Sequence, residues 1–251
     1  MEKEEQLFRK RILELAEISF QRDVPIHTDF LNLNEQTIFY SLVRELPDLQ
    51  VQLTGGYDLA ERKVVCFLPS YTETILDMPI SCIQIKPVNV RFAEELTHRD
   101  YLGAIMNLGI ERSKIGDIVM DDTACHVICM ADMADYVAEQ LHLVKHTTIH
   151  CLVCPVFELN MQPKFETISG SIASERLDNL LSLAYHLSRT QAVSYIEGER
   201  TFVNGKMIHS NSHQLHNGDI VSVRGQGKFI YRGIQNQTKK GRLFVTLDQY
   251  C

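Results

Sequence analysis

The sequence predicts an α/β protein of the mixed α+β kind, built in three parts, and three observations carry that expectation. Residues 78–157 alternate strand and helix patterns in the order βαββαβ. Residues 174–229 read as two short helices, a tight hairpin and a further strand. Charge is unevenly spread: residues 174–251 hold ten Lys and Arg against six Asp and Glu, whereas the first 173 residues hold fifteen against twenty-six. The expected parts are an N-terminal helix–strand domain at 1–77, a ferredoxin-like domain at 78–165, and a C-terminal module at 174–251 that ends in a strand extension. The stretch ETISGSIAS, residues 166–174, reads as a polar linker between the last two.

The first part opens with an amphipathic helix over residues 1–20, which places Leu7, Ile12, Leu15, Ala16 and Ile18 on or near one face. A second helix over 34–46 carries Ile38, Phe39, Leu42, Val43 and Leu46, and Pro47 closes it. LQVQLTGGYDLAERKVVCFLP then reads as two strands around a glycine loop. In that loop, GGYDLAER at 55–62, Gly55-Gly56 allows close backbone approach and Arg62 and Lys63 supply charge, as a phosphate contact would need. It has no Gly-Lys-Ser/Thr of a Walker loop, and a plain hairpin connection accounts for it more simply.

In the second part CIQIKPVNVRF is a strand with a proline at an edge or bulge. Thr97 with Asp100 caps the helix HRDYLGAIMNL, which Gly109 ends. IGDIVM and ACHVICM are strands around Asp121-Asp122, ADMADYVAEQLHLV is a helix, and TTIHCLVCPVF is the last strand. This order implies a ferredoxin-like sheet with two helices on one face, as in RNA-recognition motifs. Those motifs stack bases on aromatics of the central strands. Here Phe92 is the only aromatic in that region and the Gly-Phe-Gly-Phe signature is missing, so base stacking by this domain is not expected. Asp117 is expected in a turn.

In the third part RLDNLLSLAYHL puts Leu177, Leu180, Leu181, Ala184 and Leu187 on one helical face. Ser188 with Gln191 forms a capping box for a second helix, whose buried face carries Ala192, Val193, Tyr195 and Ile196. Gly198 is expected to stop that helix in a left-handed conformation. TFV and KMI flank Asn204-Gly205, the preferred pair for a type I′ hairpin, and DIVSVRG follows a turn at Asn217-Gly218.

Arg176-Leu177-Asp178, Ser188-Arg189, Ala192, Ile196, Gly198, Val203-Asn204-Gly205, Gly218-Asp219 and Val223-Arg224-Gly225 recur in the order and spacing of the S-four RNA-binding domain, which this segment resembles. The resemblance implies RNA contacts at Arg176, Ser188, Arg189, Gln191, Asn204, Lys206, Arg224 and Lys228, with Asp178 orienting neighbouring basic side chains. The local excess of positive charge supports a polyanion site independently. HRDYLGAIMNLGIERSKIGDIVM at 98–120, with GGYDLAER upstream and the S-four segment downstream, also resembles the bacterial YlmH family over nearly the whole chain. That likeness implies a non-enzymatic, cytoplasmic RNA-binding protein, encoded among cell-division genes in many Gram-positive bacteria. Its implied partners are structured RNA (ribosomal RNA or tRNA) and the large ribosomal subunit, near peptidyl-tRNA, in ribosome-associated quality control. Neither membrane nor DNA is expected as a partner.

The remaining signals narrow the classes. MEKEEQLFRK is too charged for a signal peptide, and no apolar run approaches the roughly 20 residues of a membrane span. Seven scattered cysteines suit reduced thiols better than a disulfide framework. Cys125-x3-Cys129 and His150-Cys151-x2-Cys154 invite zinc, yet both lie in apolar strands where Cys151 and Cys154 point to opposite faces, so neither metal nor cofactor is expected. His209, His213 and His216 read as solvated loop residues near the hairpin. No catalytic motif is evident. The alternatives are an RNA-modifying enzyme of the pseudouridine synthase kind, in which Asp178 or Asp117 would act, and a cell-division adaptor that binds RNA secondarily.

Overall fold

The computed structural model describes residues 2–69, 71–72, 79–121, 123–156, 165–238 and 241–250. The fold is mixed α+β and divides into two compact units, Met1–Gln162 and Pro163–Cys251.

The first unit begins with α1 (Glu2–Arg22), β1 (Ile26–His27), α2 (Leu33–Leu42), β2 (Gln50–Thr54) and β3 (Val64–Leu68). A capping box starts α2: Glu35 N donates to Asn32 Oδ1 at 3.0 Å, and Asn32 N donates to the Glu35 carboxylate at 2.7 Å. The helix is shorter than the periodicity predicts. It ends at Leu42, a 3-10 turn covers Val43–Glu45, and Leu46 is extended because a residue before proline is excluded from the α region. The strands pair antiparallel in the order β1-β3-β2. Every residue of β3 is buried, because both its faces are covered. Val65 and Phe67 meet Ile12, Ala16, Phe39 and Leu42 of the helices. Val64, Cys66 and Leu68 face the next sheet.

That sheet is formed by β4 (Ile80–Pro87), β5 (Ile115–Met120), β6 (Cys125–Met130), β7 (Leu143–Val144) and β8 (Thr147–Cys154), with α3 (His98–Met106) and α4 (Ala131–Gln140) in the connections. The order β5-β6-β4-β8-β7 is antiparallel throughout and is the ferredoxin-like arrangement with a short extra edge strand. Thr97 N and Oγ1 donate to the Asp100 carboxylate at 2.8 and 2.7 Å and start α3, and Gly109 takes φ +82° just beyond its end. Pro87 stands at the end of β4, where only β8 still pairs, so its missing N–H costs no ladder bond toward β6. The expected α4 ran through LHLV; it stops at Gln140, and Leu143 and Val144 turn back to pair with Thr148 and Thr147. Asp117 lies within strand β5, not in a turn.

One face of this sheet packs Ile83, Ile85, Val127 and Cys129 against Tyr101 and Ile105 of α3 and Ala134 and Val137 of α4. The opposite face packs Ile80, Cys82, Ile128 and Met130 against Phe30, Val64, Cys66 and Leu68. The helix–strand block and the ferredoxin-like sheet therefore share a core. Burial on both faces explains why CHVICM is apolar at nearly every position rather than alternating.

The second unit contains β9 (Phe165–Ile172), α5 (Leu177–Tyr185), α6 (Arg189–Glu197), β10 (Thr201–Val203), β11 (Lys206–Met207), β12 (Ile220–Val223), β13 (Gly227–Gln237) and β14 (Leu243–Tyr250). Its sheet runs β11-β10-β12-β13-β14-β9, antiparallel throughout. The stretch expected as a linker is thus an edge strand: β9 pairs with β14 along its whole length, from Phe165↔Tyr250 to Ile172↔Leu243. It looks polar in sequence because one of its faces carries Thr167, Ser169 and Ser171. Gly170, on the other face, lies under Leu183; a β-carbon there would come within 2.5 Å of Leu183 Cδ1. Leu177, Leu180, Leu181, Ala184, Ala192 and Ile196 of the helices pack on Val203, Val221, Val223, Phe229, Tyr231, Val245 and Leu247 of the sheet.

Candidate nucleic-acid interface

The joint between α5 and α6 forms the most distinctive site. His186 ends α5 in the left-handed conformation (φ 52°), which turns the chain so that Ser188 can cap α6. Gln191 N donates to Ser188 Oγ at 3.3 Å, and Ser188 N and Oγ both donate to Gln191 Oε1 at 2.9 Å. Ser188 and Gln191 therefore act first on each other.

Asp178 sits at the base of this joint with no exposed surface. Arg176 donates to it through Nε at 3.0 Å and Nη2 at 3.3 Å, and Arg189 donates through Nε at 3.1 Å. Burial alone would push the Asp178 carboxyl up; the two arginines outweigh it and hold it below the usual carboxylate range. The arginines are not buried with it. Their side chains are 38% and 69% exposed. One hidden carboxylate thus fixes two guanidinium groups whose outer edges face solvent, and Arg189 adds its charge to the positive end of α6.

The other end of α6 closes differently from expectation. Gly198 has φ −81° and is not left-handed; Glu199 takes that conformation instead (φ 57°). Glu199 N donates to Ile196 O at 3.3 Å and Arg200 N to Tyr195 O at 3.0 Å, a Schellman closure shifted one residue on. It brings Arg200 over the Tyr195 ring, 4.4 Å from its centroid. Arg200 N–H groups also donate to Arg224 O at 2.8 Å, and Arg224 N donates to Arg200 O at 2.8 Å. Arg200 is missing from the residues singled out in sequence; the tyrosine five residues before it is the signal that could have found it. The two basic clusters lie at opposite ends of a nine-residue helix, about 13 Å apart along its axis.

In the hairpin, Asn204 and Gly205 both have positive φ, 48° and 75°, as a type I′ turn requires. The Asn204 amide is engaged inside the module: Nδ2 donates to Asp219 Oδ1 at 2.8 Å and Oδ1 accepts from Ile220 N at 2.9 Å. Lys206 is exposed beside it. Arg224 lies over Phe202 at 4.9 Å and Lys228 over Tyr250 at 5.4 Å. The structure groups Arg176 with Arg189 and places Arg224 and Lys228 on the sheet, apart from that joint.

The first unit uses its charged motif internally. The Asp117 carboxylate accepts from Tyr57 OH at 2.8 Å, Glu61 N at 2.7 Å and Arg62 N at 3.1 Å. Arg62 in turn donates Nε to Ile115 O at 3.1 Å and Nη2 to Phe30 O at 2.8 Å, and Arg112 Nη1 donates to Ile115 O and Gly116 O. GGYDLAER is therefore a latch between the helix–strand block and the ferredoxin-like sheet. Burial, and then the neighbouring Arg62, lower the Arg112 guanidinium to about 10. Elsewhere on the same sheet, Lys86 pairs with His150 across β4 and β8, and Gln84 Nε2 lies 3.2 Å from Nε2 of the buried His126. The Phe92 side chain lies outside the described residues. Cys66, Cys82, Cys125 and Cys129 are buried, and burial pushes the thiols of Cys66 and Cys129 up to about 12.

A six-stranded sheet backed by two helices, with paired arginines steered by a buried carboxylate, gives the second unit a solvent-facing cationic site on a mixed α+β fold. Comparison with known sequences attaches RNA binding to the segment that holds the ferredoxin-like sheet. Residues 75–169 match the family model described as "Putative RNA-binding domain in YlmH", and residues 4–72 match "YlmH, N-terminal". "Ribosome-associated protein quality control protein P2" of Bacillus subtilis (strain 168) is 32% identical over 251 residues, covering 98% of this chain and 96% of that protein. The chain belongs to the YlmH family. The solved structure titled "Cell division protein ylmH from Streptococcus pneumoniae" shares the fold, with a TM-score of 0.51 at 24% identity over 62% of this chain and 93% of that one. Among the described residues no helix is long and apolar enough to cross a membrane.

Proposed function

We propose that this protein binds structured RNA, ribosomal RNA or tRNA, on the large ribosomal subunit, and serves ribosome-associated quality control without catalysing a reaction. The observation that carries this reading is the Arg176–Asp178–Arg189 cluster. The carboxylate is hidden and the cations are displayed, so the cluster presents its positive charge to solvent, where a polyanion can reach it. Two guanidinium edges held at a helix N-terminus match a phosphate by charge and by geometry. Recognition then rests on backbone and shape, with the hairpin and its Lys206 fixing register. The name of the Bacillus subtilis relative, which matches across almost the whole chain, supports the ribosomal setting.

Cosedimentation of the full chain with ribosomal subunits tests this reading. The wild type should travel with large subunits, and the Arg176→Ala/Arg189→Ala double variant should be released at salt near 0.15 M. Equal cosedimentation of both would remove the cluster from the interface. A nucleoside mass change in RNA incubated with the protein, dependent on Asp178 or Asp117, would replace the binding reading with an enzymatic one.

A further inference from the structure

The C-terminal sheet has a second face that the helices do not cover. Strand register decides what stands on it. Val203, Val221 and Phe229 point into the helix-covered core, so their neighbours Phe202, Ser222 and Lys228 point the other way. Phe202 pairs with Ser222 and Ser222 with Lys228 across β10, β12 and β13. Lys228 lies over the Tyr250 ring of β14, and Tyr250 pairs with Phe165 of β9 with ring centroids 4.9 Å apart. Arg224 covers the Phe202 ring at the near end of the same row. The result is one transverse strip over five strands, about 19 Å long at roughly 4.8 Å per strand spacing. It carries a cation on an aromatic ring at one end and a cation on a pair of rings at the other.

We propose that this strip is a second RNA site, which stacks unpaired nucleotides next to the helical element gripped at the α5–α6 joint. The inference rests on the RNA-binding reading above and deepens it. Three features point to single-stranded RNA. Phe202, Tyr250 and Phe165 are each only partly buried, so ring surface is available for stacking. Arg224 is exposed and stands over Phe202, 4.9 Å from the ring centroid, so its guanidinium is within reach of a base stacked on this strip. The carboxylate described on the same face is already engaged: Asp248 accepts from Arg232 Nε at 2.6 Å and from Thr167 Oγ1 at 2.9 Å. Cations interleaved with rings on an open sheet are what base stacking along a phosphate backbone requires. A sheet of similar width in RNA-recognition motifs stacks two or three bases. Ordinary cross-strand pairing would also place aromatics and cations side by side, but it would leave RNA affinity untouched.

The test uses the full chain and a short RNA hairpin, either blunt or carrying a five-uridine single-stranded extension. In the wild type the extension should tighten binding at least about thirtyfold, from roughly two stacked bases. In Phe202→Leu/Tyr250→Leu, which keeps apolar bulk, that gain should fall below about twofold while the blunt hairpin binds as before. Separately, 5-iodouridine placed in the extension should photocrosslink the unaltered protein at peptides holding Phe202, Tyr250 or Phe165. An extension that gains nothing, a gain that survives the double substitution, or crosslinks confined to other segments would overturn the strip. Arg189→Ala separates the two readings: if it leaves blunt-hairpin binding unchanged, the α5–α6 site fails, whereas the strip stands or falls on the extension and the crosslinks alone.

Discussion

The two larger sheets of this protein treat their faces in opposite ways. In the first unit the ferredoxin-like sheet has helices on one face, and β3 with Phe30 on much of the other. Its charged motif is spent on holding those layers together, with Asp117 accepting three donors from the GGYDLAER loop. In the second unit the sheet has helices on one face and a row of aromatics and cations on the other, and its buried carboxylate turns two arginines outward. The same chemical device, an acid satisfied by several donors, is a latch in one unit and an aiming device in the other. What differs is where the donors end: Arg62 runs inward to main-chain carbonyls, whereas Arg189 runs outward to water.

The largest effect should come from breaking the latch. Asp117→Ala removes the carboxylate that accepts from Tyr57 OH and two main-chain N–H groups, and takes away one of the negative charges beside Arg62 and Arg112, of which Glu61 remains. The expected cost is about 3–5 kcal/mol. Hydrogen exchange should show protection lost across β3, β5 and β6 while α5 and β12 stay protected. Retained protection in the first unit would mean that the shared apolar core alone holds the layers.

Asp178→Ala should cost less, about 2–4 kcal/mol, because Arg176 and Arg189 can swing into solvent once released. RNA affinity should nevertheless fall, although Asp178 is buried and touches no ligand. Thermal melting and binding measured on the same sample check both parts; an unchanged affinity would show that the arginines need no aiming.

Arg189→Ala sharpens the comparison from the exposed side. Arg176 still satisfies the buried Asp178, and the Arg189 side chain is largely solvated, so stability should drop by less than about 1 kcal/mol. Affinity for RNA should weaken, and the slope of log affinity against log salt should shrink by about one. Arg189→Lys should fall between, since lysine keeps the charge but loses the planar fork. A large loss of stability with an unchanged slope would make the residue structural.

Acid should act through the same carboxylate. Asp178 is held below its unfolded value, so its contribution is full above that value, about 3.9, and is lost as pH falls through the lower folded one. Acid titration of the wild type should therefore cost the second unit stability below about pH 4, and Asp178→Asn should flatten that part of the curve. The smallest effect concerns the thiols. With their pKa pushed up to about 12, Cys66 and Cys129 stay protonated at pH 8, and alkylation followed by mass spectrometry should find them slow to react until the protein unfolds. Fast labelling of either would contradict their burial.

Local chemistry made much of this visible in the sequence. Capping boxes at Thr97 and Ser188, the Asn204-Gly205 turn and the βαββαβ order are set by residues within a few positions of one another, and all appear in the structure. The misreadings occur where the deciding contact is distant. ETISGSIAS looked like a linker because the strand it pairs with, Leu243–Tyr250, lies more than seventy residues on. Asp117 looked like a turn residue because its donors sit 55 to 60 positions away. Gly198 looked like a left-handed cap, but the closing bonds from Glu199 and Arg200 move that conformation one residue along.

The sequence by itself determined most of the elements and the concentration of positive charge in the last third, because periodicity, caps and charge are properties of neighbours. Only the tertiary structure decided which carboxylates are buried, which arginines are left showing, and that one sheet has its second face covered while the other carries Phe202, Arg224, Lys228, Tyr250 and Phe165 in a row. Those outcomes depend on strand register and layer packing, which join residues far apart in the chain and so leave no local mark in it.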